Sequence, residues 1–298
     1  MVRKAETVEA EGAPAFSCVV LADRGGVGKT SVASLIWATL TELGLETCLG
    51  EVEGATERKL SALLATAQMG DPDPNITMPT PAECTQDSRA NGRAFAPALK
   101  ALVAPGKPTI LDNGATVSRA FLDAAEAADY ADQIDGGRDL RIVIVAKAED
   151  LQSATSAEAS LKRARAIYPN ARIILAVTHV RFDRQRGTHN AGPVVTAVEA
   201  SGKAGSVVLV PLLNSPFMGE LYGEQHIPFH LLASLPVTDL AGLIGDAGEQ
   251  EVRIYRGQYL AWYNTVLAHL AAALDLPAPA ERTTKGPARP LVEAGASA

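Results

Sequence analysis

At 298 residues, 47% of them hydrophobic, the chain can bury a sizeable core, and a single large domain with short appendages is expected. A net charge of −7 and a pI near 5.3 argue against a protein that grips DNA by broad phosphate neutralisation, or a membrane by a basic surface. The opening residues MVRKAETVEAEGAPA lack the apolar centre of a secretory signal, and no apolar run approaches a membrane span, so a cytoplasmic protein is expected.

Residues 1–14 are polar and aperiodic and read as a disordered leader. The stretch 16–40, FSCVVLADRGGVGKTSVASLIWATL, passes from an apolar strand through a glycine-rich turn into a helix that stops near Gly44. A polyphosphate can be surrounded by peptide N–H groups at a helix start only where side chains are absent, and Gly25, Gly26 and Gly28 clear that space. The backbone from Gly25 through Val27 to Lys29 is therefore a candidate anion cradle, continued by Thr30 and Ser31. Lys29 is placed to reach the outer phosphates and Thr30 to ligate a magnesium ion bridging them. The strict phosphate-loop pattern has a fourth glycine where this chain has Asp23.

GGVGKT preceded by a basic residue resembles the deviant phosphate loop of the partition and division-site ATPases, the ParA/MinD group. That resemblance implies a doubly wound, mostly parallel α/β sheet of the P-loop NTPase kind, binding of ATP with Mg2+, slow hydrolysis and a nucleotide-dependent homodimer. In the group a lysine at the position of Arg24 reaches the partner's nucleotide. Arginine keeps the charge and changes its shape, and a solvated loop cation is the plainer alternative.

Residues 45–49 read as a second strand, followed by Gly50, Glu51, Val52, Glu53 and Gly54. The resemblance puts Glu51 and Glu53 where the group carries the aspartates near the attacking water, with Glu51 taken as the catalytic match; solvated strand-end glutamates are the alternative. Helix is expected over 56–69, exposed loop over 70–82 and helix over 94–103. The segment 107–115, KPTILDNGA, is a short strand ending in Asp112, a carboxylate suited to hold a magnesium-bound water, or alternatively to cap the next helix. ILDNGA resembles the TraL-type conjugal-transfer ATPases of plasmids, which implies a role in plasmid transfer or partition and a protein partner from such a system; DNA binding finds no support in the charge.

Further on, 118–131 reads as helix, 140–146 as a buried strand, 151–168 as helix and 171–180 as another buried strand. In the resembled families the last of these ends in a residue that recognises adenine, which here implies Thr178 or His179. Residues 181–190 hold Arg181, Arg184 and Arg186 and read as a solvated loop or a small anion patch. The strand 206–213 ends in valine-proline-leucine, which by resemblance brings Leu212 near the base. Short helices fill 215–248. A long helix over 250–274 carries Ile254, Leu260, Tyr263, Leu267 and Leu270 as its expected buried stripe. The domain is thus expected over 15–275, with a Pro- and Ala-rich disordered tail over 276–298 that lacks a basic amphipathic anchor. Cys18, Cys48 and Cys84 show no paired spacing and read as reduced thiols, two in strands and one in a loop.

Three activities fit this pattern: the ATP-dependent dimerising switch, a nucleotide-gated scaffold that does not hydrolyse, and a small-molecule kinase or ligase on the same frame.

Overall fold

The computed structural model describes residues 15–53, 59–79, 83, 87, 89–103, 106–137, 139–183, 188–190, 205–213, 215–245 and 247–283. The expectations for the leader, Gly54, Cys84, Arg184, Arg186 and residues 284–298 lie outside these.

Seven parallel strands form the centre: β1 (Ser17–Leu21), β2 (Cys48–Glu53), β3 (Asn75–Thr77), β4 (Thr109–Asn113), β5 (Leu140–Lys147), β6 (Arg172–Asp183) and, after the hairpin strand β7 (Thr188–Asn190), β8 (Ser206–Pro211). Their order across the sheet is β3-β2-β4-β1-β5-β6-β8, and β7 pairs antiparallel with the far end of β6. β1 is buried along its whole length because it lies between β4 and β5 with helices on both faces, which explains its unbroken apolar run.

The pleat sorts side chains into two cores. Cys18, Val20, Ile110, Val143 and Ile174 face α1 (Lys29–Glu42) and the long C-terminal helix, whose Tyr259, Leu260, Tyr263 and Leu267 are buried there. Val19, Leu21, Leu111, Ile142 and Leu175 face the opposite layer, where Phe95, Phe121 and Leu161 are buried. The helices in chain order are α2 (Lys59–Thr66), α3 (Ala90–Val103), α4 (Ser118–Ala127), α5 (Tyr130–Gln133), α6 (Leu151–Ile167), α7 (Pro216–Gly223), α8 (Phe229–Ser234), α9 (Val237–Ile244) and α10 (Glu249–Leu274). This is a doubly wound α/β architecture. Among the described residues no helix is long and apolar enough to cross a membrane.

Several boundaries differ from the sequence-based expectations. The second strand starts at Cys48 and runs to Glu53, because Gly50–Val52 pair with Leu111–Asn113 of β4; Glu51 therefore lies inside the strand. The expected loop over 70–82 contributes the edge strand β3. The helix expected over 118–131 breaks at Asp129, whose φ of 46° ends one helical run before α5 begins. On α10, Ile254 is 62% exposed and is not part of the buried stripe, which is completed by Val252, Tyr259 and Val266.

The segment after α10, read from sequence as the start of the disordered tail, folds back along α10 through residue 283. The Arg282 amide and carbonyl pair with the Asn264 side chain at 3.1 and 2.9 Å, and its Nε donates to Glu42 Oε1 of α1 at 2.7 Å. The Tyr263 hydroxyl donates to the same carboxylate oxygen at 2.9 Å.

Candidate functional site

The glycine-rich turn expected to bind phosphate leaves β1 at Ala22 and enters α1 at Lys29. Gly26 and Gly28 adopt φ of 71° and 91°, values at which a side chain would strain the turn. Gly28 is the N-cap of α1, with no side-chain cap and no acidic residue in the first turn, so no side-chain anion competes for those amides. Gly25 and Gly26 are exposed, and a Cβ on either would meet nothing within 4 Å; their contribution is an open approach to the backbone.

Lys29 is buried, with Nζ donating to the Arg24 carbonyl at 3.2 Å. Burial lowers its pKa, and the carboxylates of Asp112 and Glu53 oppose that shift. Asp112, at the end of β4, is 4% exposed and hydrogen-bonded to Thr30. Burial pushes its pKa up to about 6, against the pull of Thr30 and Lys29, while Glu51 and Glu53 add to the rise. Its Oδ1 has no hydrogen-bond partner. A buried carboxylate oxygen left bare beside a threonine hydroxyl and a lysine is a donor set that a divalent cation with its phosphate ligands would complete. Among the described residues no group of three His, Cys, Asp or Glu forms an all-protein metal cage.

Glu51 and Glu53 divide in a way the sequence does not show. The Glu51 carboxylate, 2% exposed, accepts from Leu60 N at 2.9 Å, Ser61 N at 3.3 Å and Ser61 Oγ at 2.6 Å, and so caps the start of α2. Glu53 instead lies against the turn after Asp112: an ideal Cβ on Gly114 would fall 2.0 Å from its Oε1 and 2.6 Å from its Oε2. Gly114 is therefore the residue that makes room for a carboxylate near Lys29. Asn113 is wholly buried with both amide atoms unpartnered.

Arg24, within the turn, is engaged by the start of α6. Its Nη1 reaches Asp150 Oδ1 at 3.2 Å and Gln152 Oε1 at 2.5 Å, at the start of α6, where the same Asp150 oxygen caps the helix by accepting from Gln152 N and Ser153 N. Asp23 binds the same helix further along, its Oδ2 accepting from Ser160 Oγ at 2.9 Å. Two consecutive loop residues thus tie the phosphate loop to α6. Ser118 ties it to the other side: its Oγ accepts from Ala22 N at 3.1 Å and donates to the Gly114 carbonyl at 3.0 Å. Ser118, Asp150 and Gln152 carry no motif and were not found from sequence.

The residues expected on the base side also converge. An apolar cavity of about 280 Å³ beside the first turn of α1 is lined by Gly28, Val32, Thr178, His179, Leu212 and Trp262 among others. Ser31 is on its wall and hydrogen-bonds with Tyr222, whose ring stacks on Phe229 at 3.9 Å. A larger hollow of about 610 Å³ between α3 and α4 contains none of the residues singled out by sequence.

No protein-family model matches this chain, and no curated protein matches it. Among solved structures it is similar to the MinD cell division protein of Aquifex aeolicus (16% identity over 78% of this chain and 98% of that one, TM-score 0.45). It is also similar to a ParA family ATPase from Chlorobium tepidum TLS (14%, 84% and 99%, TM-score 0.42) and to a nucleotide-binding protein in complex with ADP from Archaeoglobus fulgidus (14%, 66% and 82%, TM-score 0.41).

Proposed function

We propose that this chain is a cytoplasmic Mg-ATP-dependent switch that dimerises on ATP and hydrolyses it slowly. The supporting observation is the conjunction of an uncapped, glycine-built start of α1 with Lys29, Thr30 and a buried Asp112 whose Oδ1 is unpartnered. In this reading the amides from Gly25 to Thr30 hold the phosphates, Lys29 neutralises their charge, and Thr30 and Asp112 hold the metal. A divalent cation there supplies charge neutralisation across the transferred phosphoryl group. Glu53, set against Gly114, is the better-placed carboxylate for orienting water than Glu51, which caps α2. Arg24 acts in trans only after leaving Asp150 and Gln152, so docking of a second copy must offer the guanidinium more than one ion pair whose side chains are 37% and 29% exposed. The resemblance of the ILDNGA segment to the TraL-type ATPases supports a role for the switch in plasmid transfer or partition, with a protein partner from such a system.

A second reading, a nucleotide-gated scaffold with no turnover, is favoured by Glu51 alone, since its engagement with α2 removes the expected water-positioning group. Phosphate release and sedimentation with no nucleotide, ADP or ATP plus magnesium, in the wild type and Lys29→Ala, separate the two. The switch gives an ATP-dependent dimer and slow release that is lost in the variant. Equal release in both proteins sinks it, and binding without release selects the scaffold.

A further inference from the structure

Strand β4 parts from its two neighbours at different points. On the β2 side the parallel ladder runs one residue past the strand: the Gly114 amide donates to the Val52 carbonyl at 2.7 Å, next to Glu53. On the β1 side the alternation begins with Thr109 N on the Phe16 carbonyl and pairs Val20 with Asp112, so its next rung would join the Ala22 amide to the Asn113 carbonyl. A side chain takes the place of that rung. Ala22 N donates instead to Ser118 Oγ at 3.1 Å, and the same hydroxyl donates to the Gly114 carbonyl at 3.0 Å. One hydroxyl therefore stands between the residue that opens the glycine-rich turn and the turn that follows Asp112.

Gly114 is fixed from several sides. Its carbonyl also accepts from the Val117 and Ser118 amides at 3.2 and 3.1 Å. Ser118 is buried at the first position of α4, a helix whose Phe121 and Leu122 are packed in the core on that face of the sheet. The place of Gly114 in turn bounds Glu53, since an ideal Cβ there would fall 2.0 Å from Glu53 Oε1. A chain of contacts thus runs from Ala22 through Ser118 and Gly114 to the Glu53 carboxylate. The Asn113 side chain, wholly buried at the same opening, has neither amide atom partnered, so Ser118 and not Asn113 bridges the seam.

Taking as premise ATP hydrolysis with Glu53 as the water-orienting carboxylate, we propose that Ser118 is a positioning residue for that step. It sets the distance between the phosphates in the glycine-rich turn and the carboxylate beside Gly114. Without the hydroxyl the Ala22 amide loses its acceptor and the Gly114 turn is free to shift against the phosphates. Water positioning fails with displacements on the order of 1 Å, whereas the turn's amides, Lys29 and Thr30 lie outside this link. The loss falls on turnover and spares ATP affinity.

Single-turnover phosphate release and equilibrium Mg-ATP binding of the wild type and variants test this. Ser118→Ala should slow release by about 10- to 100-fold with the Kd within about threefold of wild type. Ser118→Thr, which restores a hydroxyl, should recover most of the rate, and Ser118→Cys, of similar shape but a poorer hydrogen-bonding group, should fall between. Glu53→Gln should slow release to a similar extent, and Ser118→Ala added to it should slow it no further, because both changes remove one function. Gly114→Ala approaches the same carboxylate from the other side, pushing the flexible end of Glu53 aside, and should slow release with binding retained. Wild-type release in Ser118→Ala, a matching loss of affinity, or multiplied effects in the double variant overturn the positioning role and leave the ATPase reading standing. A wild type that releases no phosphate, or Glu53→Gln releasing it at the wild-type rate, overturns the premise and the proposal together.

Discussion

Asp112→Asn should make the empty protein more stable while abolishing its response to Mg-ATP. The carboxyl is 4% exposed, and its pKa stands at about 6 against an ordinary 3.8. That difference of about two units, at about 1.4 kcal/mol each, sets the penalty for keeping the group charged at roughly 3 kcal/mol. Because the folded pKa is the higher one, the folded state binds more protons between about pH 3.8 and 6. Stability therefore falls as pH rises through that window, and the penalty is complete above it. Asparagine removes the charge but retains a buried amide with an imperfect partner set, so the net gain should be about 1–2 kcal/mol at about pH 8 and near zero at about pH 4. Urea unfolding of both proteins at the two pH values measures it, and Mg-ATP should then raise the midpoint of the wild type alone. An Asn variant less stable than the wild type at about pH 8 would refute the placement of an uncompensated charge at this site.

Three further outcomes follow from the same geometry. Arg282→Ala strands the Glu42 carboxylate, 8% exposed, with the Tyr263 hydroxyl beside it; it should cost about 2 kcal/mol in denaturant unfolding, whereas a disordered tail residue would cost nothing measurable. His230 is buried edge-on to Trp37 with its pKa lowered to about 4, so the unfolded chain binds the extra proton between about pH 4 and 6.5. Stability carried by its neutral form should accordingly decline by roughly 3 kcal/mol as pH falls through that range, and a pH series on His230→Phe should lack this component. Asp150→Asn keeps an oxygen to cap α6 and loses only the ion pair with Arg24, for less than about 1 kcal/mol, while Asp150→Ala loses both and should cost about 1–2 kcal/mol more by thermal or urea unfolding.

The strand, phosphate loop and first helix were legible because their constraints are local: positive φ demands glycine at Gly26 and Gly28, and a strand flanked on both sides and both faces demands an apolar run. The positions of Lys29, Thr30 and Asp112 were legible for the same reason, each lying at a helix start or a strand end. What sequence could not show is which distant group a side chain meets. For Arg24 the resemblance implies a reach to a partner's nucleotide, with a solvated loop cation as the alternative, and neither reading names Asp150, 126 positions on, which it meets within its own chain. Glu51 and Glu53 differ by one pleat repeat and are chemically alike, yet one caps α2 and the other sits by Gly114. Arg282 lies in a Pro- and Ala-rich stretch with no periodicity, and its order comes from Glu42, 240 positions earlier. The long helix misled at Ile254 because its buried face runs through Val252, Arg256, Tyr259 and Tyr263 at three- and four-residue steps, and Ile254 falls between those positions.

The central claim is that the turn from Gly25 to Lys29 holds ATP with magnesium at Asp112. Calorimetric titration of Mg-ATP into the wild type, Lys29→Ala and Asp112→Asn addresses it without requiring turnover or a partner. One ATP per chain with a Kd on the order of a micromolar or tighter is predicted, weakened by at least about tenfold in Lys29→Ala, with Asp112→Asn giving no heat of Mg-ATP binding. No heat of binding in the wild type, or an affinity indifferent to Lys29, would contradict the account.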